Sequence, residues 1–145
     1  MKIFCCPVCG QPLTFTEKEA FCPGGHRFDR ARQGYFNLLQ SQASAARRHG
    51  DDRLMVEART RFLEQGFYEP LRSCLAELAV QYAPSPCAVL DAGCGEGYYT
   101  QGIAQALAEA GKAPHIAAID ISRDSAKAVA RRPFAKQAVV ASAFR

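Results

Sequence analysis

Val89-Leu90-Asp91-Ala92-Gly93-Cys94-Gly95-Glu96-Gly97-Tyr98-Tyr99 is the stretch on which the fold turns. It reads as a short buried strand, a glycine-rich turn and the start of a helix. Three glycines at alternate positions strip side chains from the backbone, so a ligand can approach the main chain closely. An acid, Asp91, stands at the strand end, two positions before the first glycine. The combination predicts a cofactor-binding turn.

The flanking sequence extends this unit. The helix that the turn opens runs from about Tyr98 to Ala110 and is closed by Gly111. His115 to Ile121 is nearly all apolar, as a buried parallel strand should be. A helix over about 123–132 follows, capped by Ser122 or Asp124 and ended by Pro133, and Ala138 to Ser142 forms a third strand. Strand, turn, helix, strand, helix, strand is the first half of a doubly wound α/β sheet. Upstream, Leu54 to Gln65 reads as a helix with Leu54, Ala58, Phe62 and Leu63 on one face. A second helix spans about 69–82, with Pro70 in its first turn and Leu71, Leu75, Leu78 and Tyr82 on one face.

The N-terminus carries a different signal. Cys6-Pro7-Val8-Cys9-Gly10 and Cys22-Pro23-Gly24-Gly25-His26 are two tight turns with the spacing C-x2-C-x12-C-x3-H. Leu13-Thr14-Phe15 and Ala20-Phe21 form a hairpin between them. A segment this small buries too little apolar surface to fold without a staple. Three thiolates and one imidazole suit a structural zinc ion, with Cys6, Cys9, Cys22 and His26 as the ligands. Cys5 is an alternative to Cys6, and free cysteines or an iron–sulfur cluster are the competing readings. Cys22→Ser is expected to unfold this module and spare the glycine turn.

Phe28 to Leu39 mixes basic, glycine and aromatic residues. Tyr35 and Phe36 would stack on bases while Arg30 and Arg32 meet phosphates, or both rings would pack the module onto the next domain; the packing role carries slightly more weight. Gln40 to Arg53 is polar and without apolar periodicity, a linker in which His49 reads as solvated. The domains are therefore 1–39, a linker at 40–53, and 54–145.

Composition sets the outer limits. The 145 residues are 48% hydrophobic and 22% charged, as in an ordinary globular protein. No apolar run approaches a membrane span, and the N-terminus lacks a secretory signal. Seven cysteines, four within the first 22 residues, fit a reducing, cytoplasmic setting with one metal site. Of the net charge of +4, residues 1–53 hold +3, from eight Lys or Arg against five acids, which permits an anionic partner such as RNA.

Two cofactor classes compete for the turn. Dinucleotides prefer G-x-G-x-x-G. Here the pattern is Asp91-x-Gly93-x-Gly95-x-Gly97, which is typical of methyltransferases. Asp120, at the next strand end and 23 residues past Gly97, can grip both ribose hydroxyls, its competing role being to cap the following helix. Ser142 would sit beside the adenine. These residues point to S-adenosylmethionine rather than a nicotinamide cofactor. Cys94 reads as a small packed residue and not as a nucleophile.

Taken in order, C-P-x-C…C-P-x-x-H, F-D-x-A-x-x-G-Y-x-N-L-L (Phe28 to Leu39), R-x-x-F-L-x-x-G-x-Y-x-P-L and V-L-D-x-G-C-G-E-G-Y-Y-T resemble the bacterial 23S rRNA guanine-N1-methyltransferases, the large-subunit rRNA methyltransferase A family. The resemblance covers residues 4–145. It implies an N-terminal zinc-ribbon-like module followed by the first half of a Rossmann-like class I methyltransferase domain. Cys6, Cys9, Cys22 and His26 would hold zinc. Tyr68, Gly95 and Glu96 would contact S-adenosylmethionine. The product would be N1-methylguanine in a 23S rRNA hairpin, bound in the cleft of a homodimer. The competing functions are a zinc-ribbon RNA-binding protein with a degenerate cofactor domain, and a small-molecule methyltransferase. No general base is identified, although His49 is conceivable. Such enzymes continue for about another half domain, so the resemblance implies an N-terminal fragment. Three parallel strands would leave one sheet edge unpaired and apolar, and the fragment alone is expected to be poorly stable and inactive.

Overall fold

The computed structural model of the chain describes residues 3–40, 50–135 and 137–143. Three short strands, β1 (Thr14–Phe15), β2 (Glu19–Phe21) and β3 (Arg27–Asp29), make an antiparallel sheet in the order β1-β2-β3. The hairpin turn is held by Thr16, whose hydroxyl donates to the Glu19 carbonyl at 2.8 Å. The third strand lacks alternating apolar residues. It is held by backbone pairing of Ala20 with Phe28 and by an Arg27–Glu19 ion pair.

The second sheet is entirely parallel and runs β4-β7-β6-β5. Its strands are β4 (Phe36–Asn37), β5 (Cys87–Ala92), β6 (Pro114–Asp120) and β7 (Gln137–Val140). Residues 116–119 of β6 are all buried, which explains their unbroken apolar run. The Rossmann-like order of strand, glycine turn, helix, strand, helix and strand is thus present. One expectation is corrected: β7 is not a bare edge. Phe36 pairs with Val139, and Asn37 with Val140. Phe36 is almost wholly buried, and Phe15 meets it edge-on at 5.0 Å. Tyr35 is buried too. Both rings therefore pack the N-terminal module onto the sheet and present no face to a base. One continuous core joins Phe4, Leu13, Cys22 and Phe36 to Ala117, Ile119 and Val139.

Among the described residues there are four helices: α1 (Arg53–Leu63), α2 (Glu69–Tyr82), α3 (Tyr98–Glu109) and α4 (Arg123–Val129). Asp52 caps α1 by accepting from the Met55 amide at 2.9 Å, and Ser122 caps α4 by accepting from Ser125 at 3.2 Å. Lys112 donates to the carbonyls of Val80 and Ala83, satisfying the C-terminal end of α2.

The expected inner faces of α1 and α2 are corrected. In α1 the buried residues are Val56 and Leu63, while Leu54, Ala58 and Phe62 are exposed. In α2 only Ala76 is fully buried, with Leu75 partly so, and Leu71, Leu78 and Tyr82 face outward. The reason is close packing against α3. The Arg72 side chain lies over Gly102, where a Cβ would come within 2.7 Å of it. The missing side chain of Gly102 makes that approach possible.

Candidate cofactor and metal sites

The first turn of the N-terminal module closes by hydrogen bonds from Gly10 N–H to the Cys6 carbonyl (2.8 Å) and from Cys6 N–H to the Gln11 carbonyl (2.8 Å). The second closes from Gly25 N–H to the Cys22 carbonyl at 3.0 Å. Together they aim Cys6, Cys9, Cys22 and His26 at one point, with all four ligand atoms within 4.8 Å of one another. Cys9 Sγ lies 3.6 Å from Cys22 Sγ, and Cys22 Sγ lies 3.4 Å from His26 Nδ1. A tetrahedral zinc with bonds of about 2.3 Å to sulfur places its sulfurs roughly 3.8 Å apart, so the donor set fits that ion. Burial works against the Cys22 thiolate, yet hydrogen bonds from the His26 ring and backbone, then from the neighbouring thiols, bring it down to about 6. Cys5 is exposed, pairs with Pro12 in an isolated bridge and lies outside the cluster.

The N-terminal module also carries an open cleft of about 470 Å³ lined by Glu17, Lys18, Arg30 and the 31–34 turn, which includes Arg32. Arg30 is committed to structure, donating to the Gly34 carbonyl at 3.0 Å. Lys18 and Arg32 are exposed.

The glycine turn sits at the carboxyl ends of β5 and β6. Gly93, Gly95 and Gly97 all have positive φ, of 85°, 55° and 82°. Asp120 fastens the turn to the end of β6. Its Oδ2 accepts from the Gly95 amide at 2.9 Å, and its Oδ1 accepts from the Ser122 amide at 2.7 Å. Ser122 itself, not Asp120, caps α4 through its side chain. A carboxylate has about four acceptor positions, so Asp120 keeps capacity for a ligand. Asp91 is half-buried and accepts from the Thr100 hydroxyl. Glu96 is buried, and its carbonyl accepts from Arg132 Nε at 3.1 Å. Ala141 N–H donates to the Asp120 carbonyl at 3.1 Å, which brings Ser142 alongside the end of β6.

Tyr68 stands at the N-cap of α2. Glu69, next to it, accepts from the Tyr98 hydroxyl at 3.0 Å and from Arg72. The Arg72 guanidinium first, and Tyr98 second, hold the Glu69 carboxyl below the usual range. This link ties the start of α2 to the start of α3. Burial first, then the nearby Tyr68 and Glu96, push the Tyr99 phenol up. The Glu69–Tyr98 bond brings the N-cap residue Tyr68 towards the first turn of α3. Cys94 is buried, and burial, then Asp120 and Asp91, push its thiol up, so it packs and does not attack. His49 lies outside the described residues.

Residues that the sequence did not single out also frame the turn. Arg59 of α1 reaches over Gly95, its Nη1 3.5 Å from where a Cβ would stand, and pairs with Asp51. Asp51 is itself tethered, its carbonyl accepting from the Ser122 hydroxyl at 2.5 Å. Arg132 donates to Gln101 at 2.7 Å as well as to Glu96. Each of these contacts joins distant segments, and no local pattern marks them.

Fold and sites together define a zinc-ribbon module joined to a partial, Rossmann-like methyltransferase-type α/β unit. Residues 4–47 match the family described as "RlmA, N-terminal", a zinc ribbon. The chain is 36% identical, over 87% of its length, to a Micromonospora griseorubida protein provisionally named a 23S rRNA (guanine-N1)-methyltransferase. It is 37% identical, over 92% of its length, to the 23S rRNA (guanine(748)-N1)-methyltransferase of Streptomyces fradiae. The family resemblance read from the sequence holds over most of the chain. The chain spans 46% of the length of each of these relatives. Among the described residues, no helix is long and apolar enough to cross a membrane.

Proposed function

We propose that the chain is the donor-binding and RNA-docking part of an S-adenosylmethionine-dependent methyltransferase that modifies N1 of a guanine in 23S rRNA. The observation that carries this reading is the acid-led glycine turn fastened by Asp120 at the carboxyl ends of adjacent parallel strands. The names of the relatives support the reaction and the rRNA substrate.

When bound, S-adenosylmethionine supplies an electrophilic methyl group on a sulfonium. The chain's own residues hold and orient the donor. Asp120 is suited to the ribose hydroxyls, and Gly93, Gly95 and Gly97 leave the main chain open to close approach. Asp91 and Glu96 set negative charge around the turn, which suits the donor's ammonium group. Tyr68 and Ser142 are assigned to the same crevice in this reading. Cys6, Cys9, Cys22 and His26 would hold a structural zinc that shapes the N-terminal module. Lys18 and Arg32 of its open cleft are suited to RNA phosphates, contacts that weaken with salt. Methylation of N1 requires the base to leave its stack, and positioning then supplies much of the rate.

In this reading the RNA element is a hairpin and the assembly a homodimer. The outward Leu71, Leu78 and Tyr82 offer an apolar surface for a second copy. Sedimentation should give twice the chain mass; a monomer at high micromolar concentration counts against the dimer.

Asp120→Ala removes the clasp on the turn together with the ribose acceptor. It should weaken S-adenosylmethionine binding at least ~100-fold, since hydrogen bonds to a charged group are worth roughly 1.5–3 kcal/mol each. Isothermal titration checks this, with zinc content unchanged as the control for folding of the N-terminal module. Unaltered affinity in the variant would reject the assignment. Absence of heat with the unsubstituted chain would favour a zinc-ribbon RNA-binding protein with a degenerate cofactor domain.

A further inference from the structure

The glycine turn leaves few amides for an anionic ligand group. Gly93 and Cys94 both donate to the Ile119 carbonyl, at 2.8 and 3.1 Å. Gly95 donates to Asp120, and Gly97 donates to the Cys94 carbonyl at 2.9 Å. The side chains around the turn are mostly acidic: Asp91, Glu96 and Asp120. An amino-acid carboxylate entering this crevice would meet used donors and like charge. It needs a cation.

Two arginines reach the turn. Arg132 is spent on the Glu96 carbonyl and the Gln101 side chain, and lies 3.8 Å from Glu64. Arg59 has a single ion-pair partner among the described residues, Asp51. A guanidinium carries five N–H donors in a fork that matches a carboxylate, so one partner leaves most of them free. Its Nη1 lies directly over Gly95, the residue whose missing side chain opens the crevice. Asp51 is anchored through its carbonyl to Ser122, beside Asp120, so the pair holds Arg59 against the mouth of the site.

We propose that Arg59 binds the carboxylate of the donor's methionine moiety, with Asp51 acting as a positioning residue that holds the guanidinium over the turn. The inference rests on the S-adenosylmethionine reading and adds the residue that recognises the amino-acid end. The chemistry selects for donors that keep the carboxylate and against those that lack it.

The test compares two ligands, S-adenosylmethionine and its decarboxylated form, by isothermal titration on the full chain. The unsubstituted chain should prefer the carboxylated ligand about 10- to 100-fold, the usual worth of a charge-assisted hydrogen bond. Arg59→Met should bring that preference to within about threefold and leave the decarboxylated ligand's affinity nearly unchanged, which also reports that the site is folded. Where Arg59→Met loses both ligands, Arg59→Gln is judged by the same criterion. A preference that survives in the variant, or no preference in the unsubstituted chain, overturns the proposal. Failure of the unsubstituted chain to bind either ligand overturns the cofactor reading itself, and this inference with it.

Discussion

Removing zinc, by chelation or by Cys22→Ser, destabilises the parallel sheet as well as the N-terminal module. Zinc held by such a ligand set contributes on the order of 10–16 kcal/mol of apparent binding energy at neutral pH. A whole domain is typically stable by only about 5–15 kcal/mol. The sequence alone suggests that the loss stays local and spares the glycine turn. The shared core argues otherwise. Cys22 is itself a core residue, in a cluster that runs through Phe36 to Ile119 and Val139. Strand β4, which leaves the module, supplies the edge partner of β7. If the module unfolds, β7 loses its neighbour, and the buried apolar residues of two strands meet water. Circular dichroism should therefore show one coincident loss of structure, with zinc content falling below one per chain. Stoichiometric zinc in Cys22→Ser would mean that the ligand set is wrong. An unchanged melting transition for the sheet would mean that the two parts fold independently.

The same contacts show where the sequence was legible. The β5–α3–β6–α4–β7 run was readable because buried parallel strands are unbroken apolar runs and because glycines mark the turn between them. The metal cluster was readable because knuckle spacing is a local property of the chain. Phe36 was ambiguous because its partner, Val139, lies far along the chain, and no periodicity records such a pairing. The inner faces of α1 and α2 misled for a related reason. The helical period locates an apolar stripe but not the surface it meets, and α2 packs through Arg72, Leu75 and Ala76. Arg59 and Asp51 carried no signal at all, since a helical arginine is ordinarily a solvated one. Asp120 was half legible. Its place at a strand end suggested a ligand contact, whereas its bond to the Gly95 amide shows that it also builds the turn.

Gly97→Ala gives the second large effect, and it separates two reasons for a glycine. Gly97 has φ of 82°, a conformation that costs an L-residue roughly 1–2 kcal/mol. An added Cβ would also stand 2.6 Å from Val129 Cγ2 and 3.1 Å from the Phe134 ring. Val129 is fully buried in α4 and β-branched, so it cannot swing aside. Overpacking of this kind costs about 1–3 kcal/mol more. The variant should lose roughly 2–5 kcal/mol, enough to lower Tm by about 10 °C in a chain of this size. Gly93→Ala is the matched comparison: its φ is 85°, but nothing lies within 4 Å of the new Cβ, so only the conformational cost remains. Combining Gly97→Ala with Val129→Ala should couple the two sites, the second change relieving the clash left by the first. Equal destabilisation by Gly97→Ala and Gly93→Ala in thermal or urea unfolding would remove the packing explanation. A larger loss at Gly97, eased by the smaller residue at 129, would mean that α4 braces the turn from behind. Gly95 and Asp120 are then held in register by the core itself, and the crevice is formed before any ligand enters it.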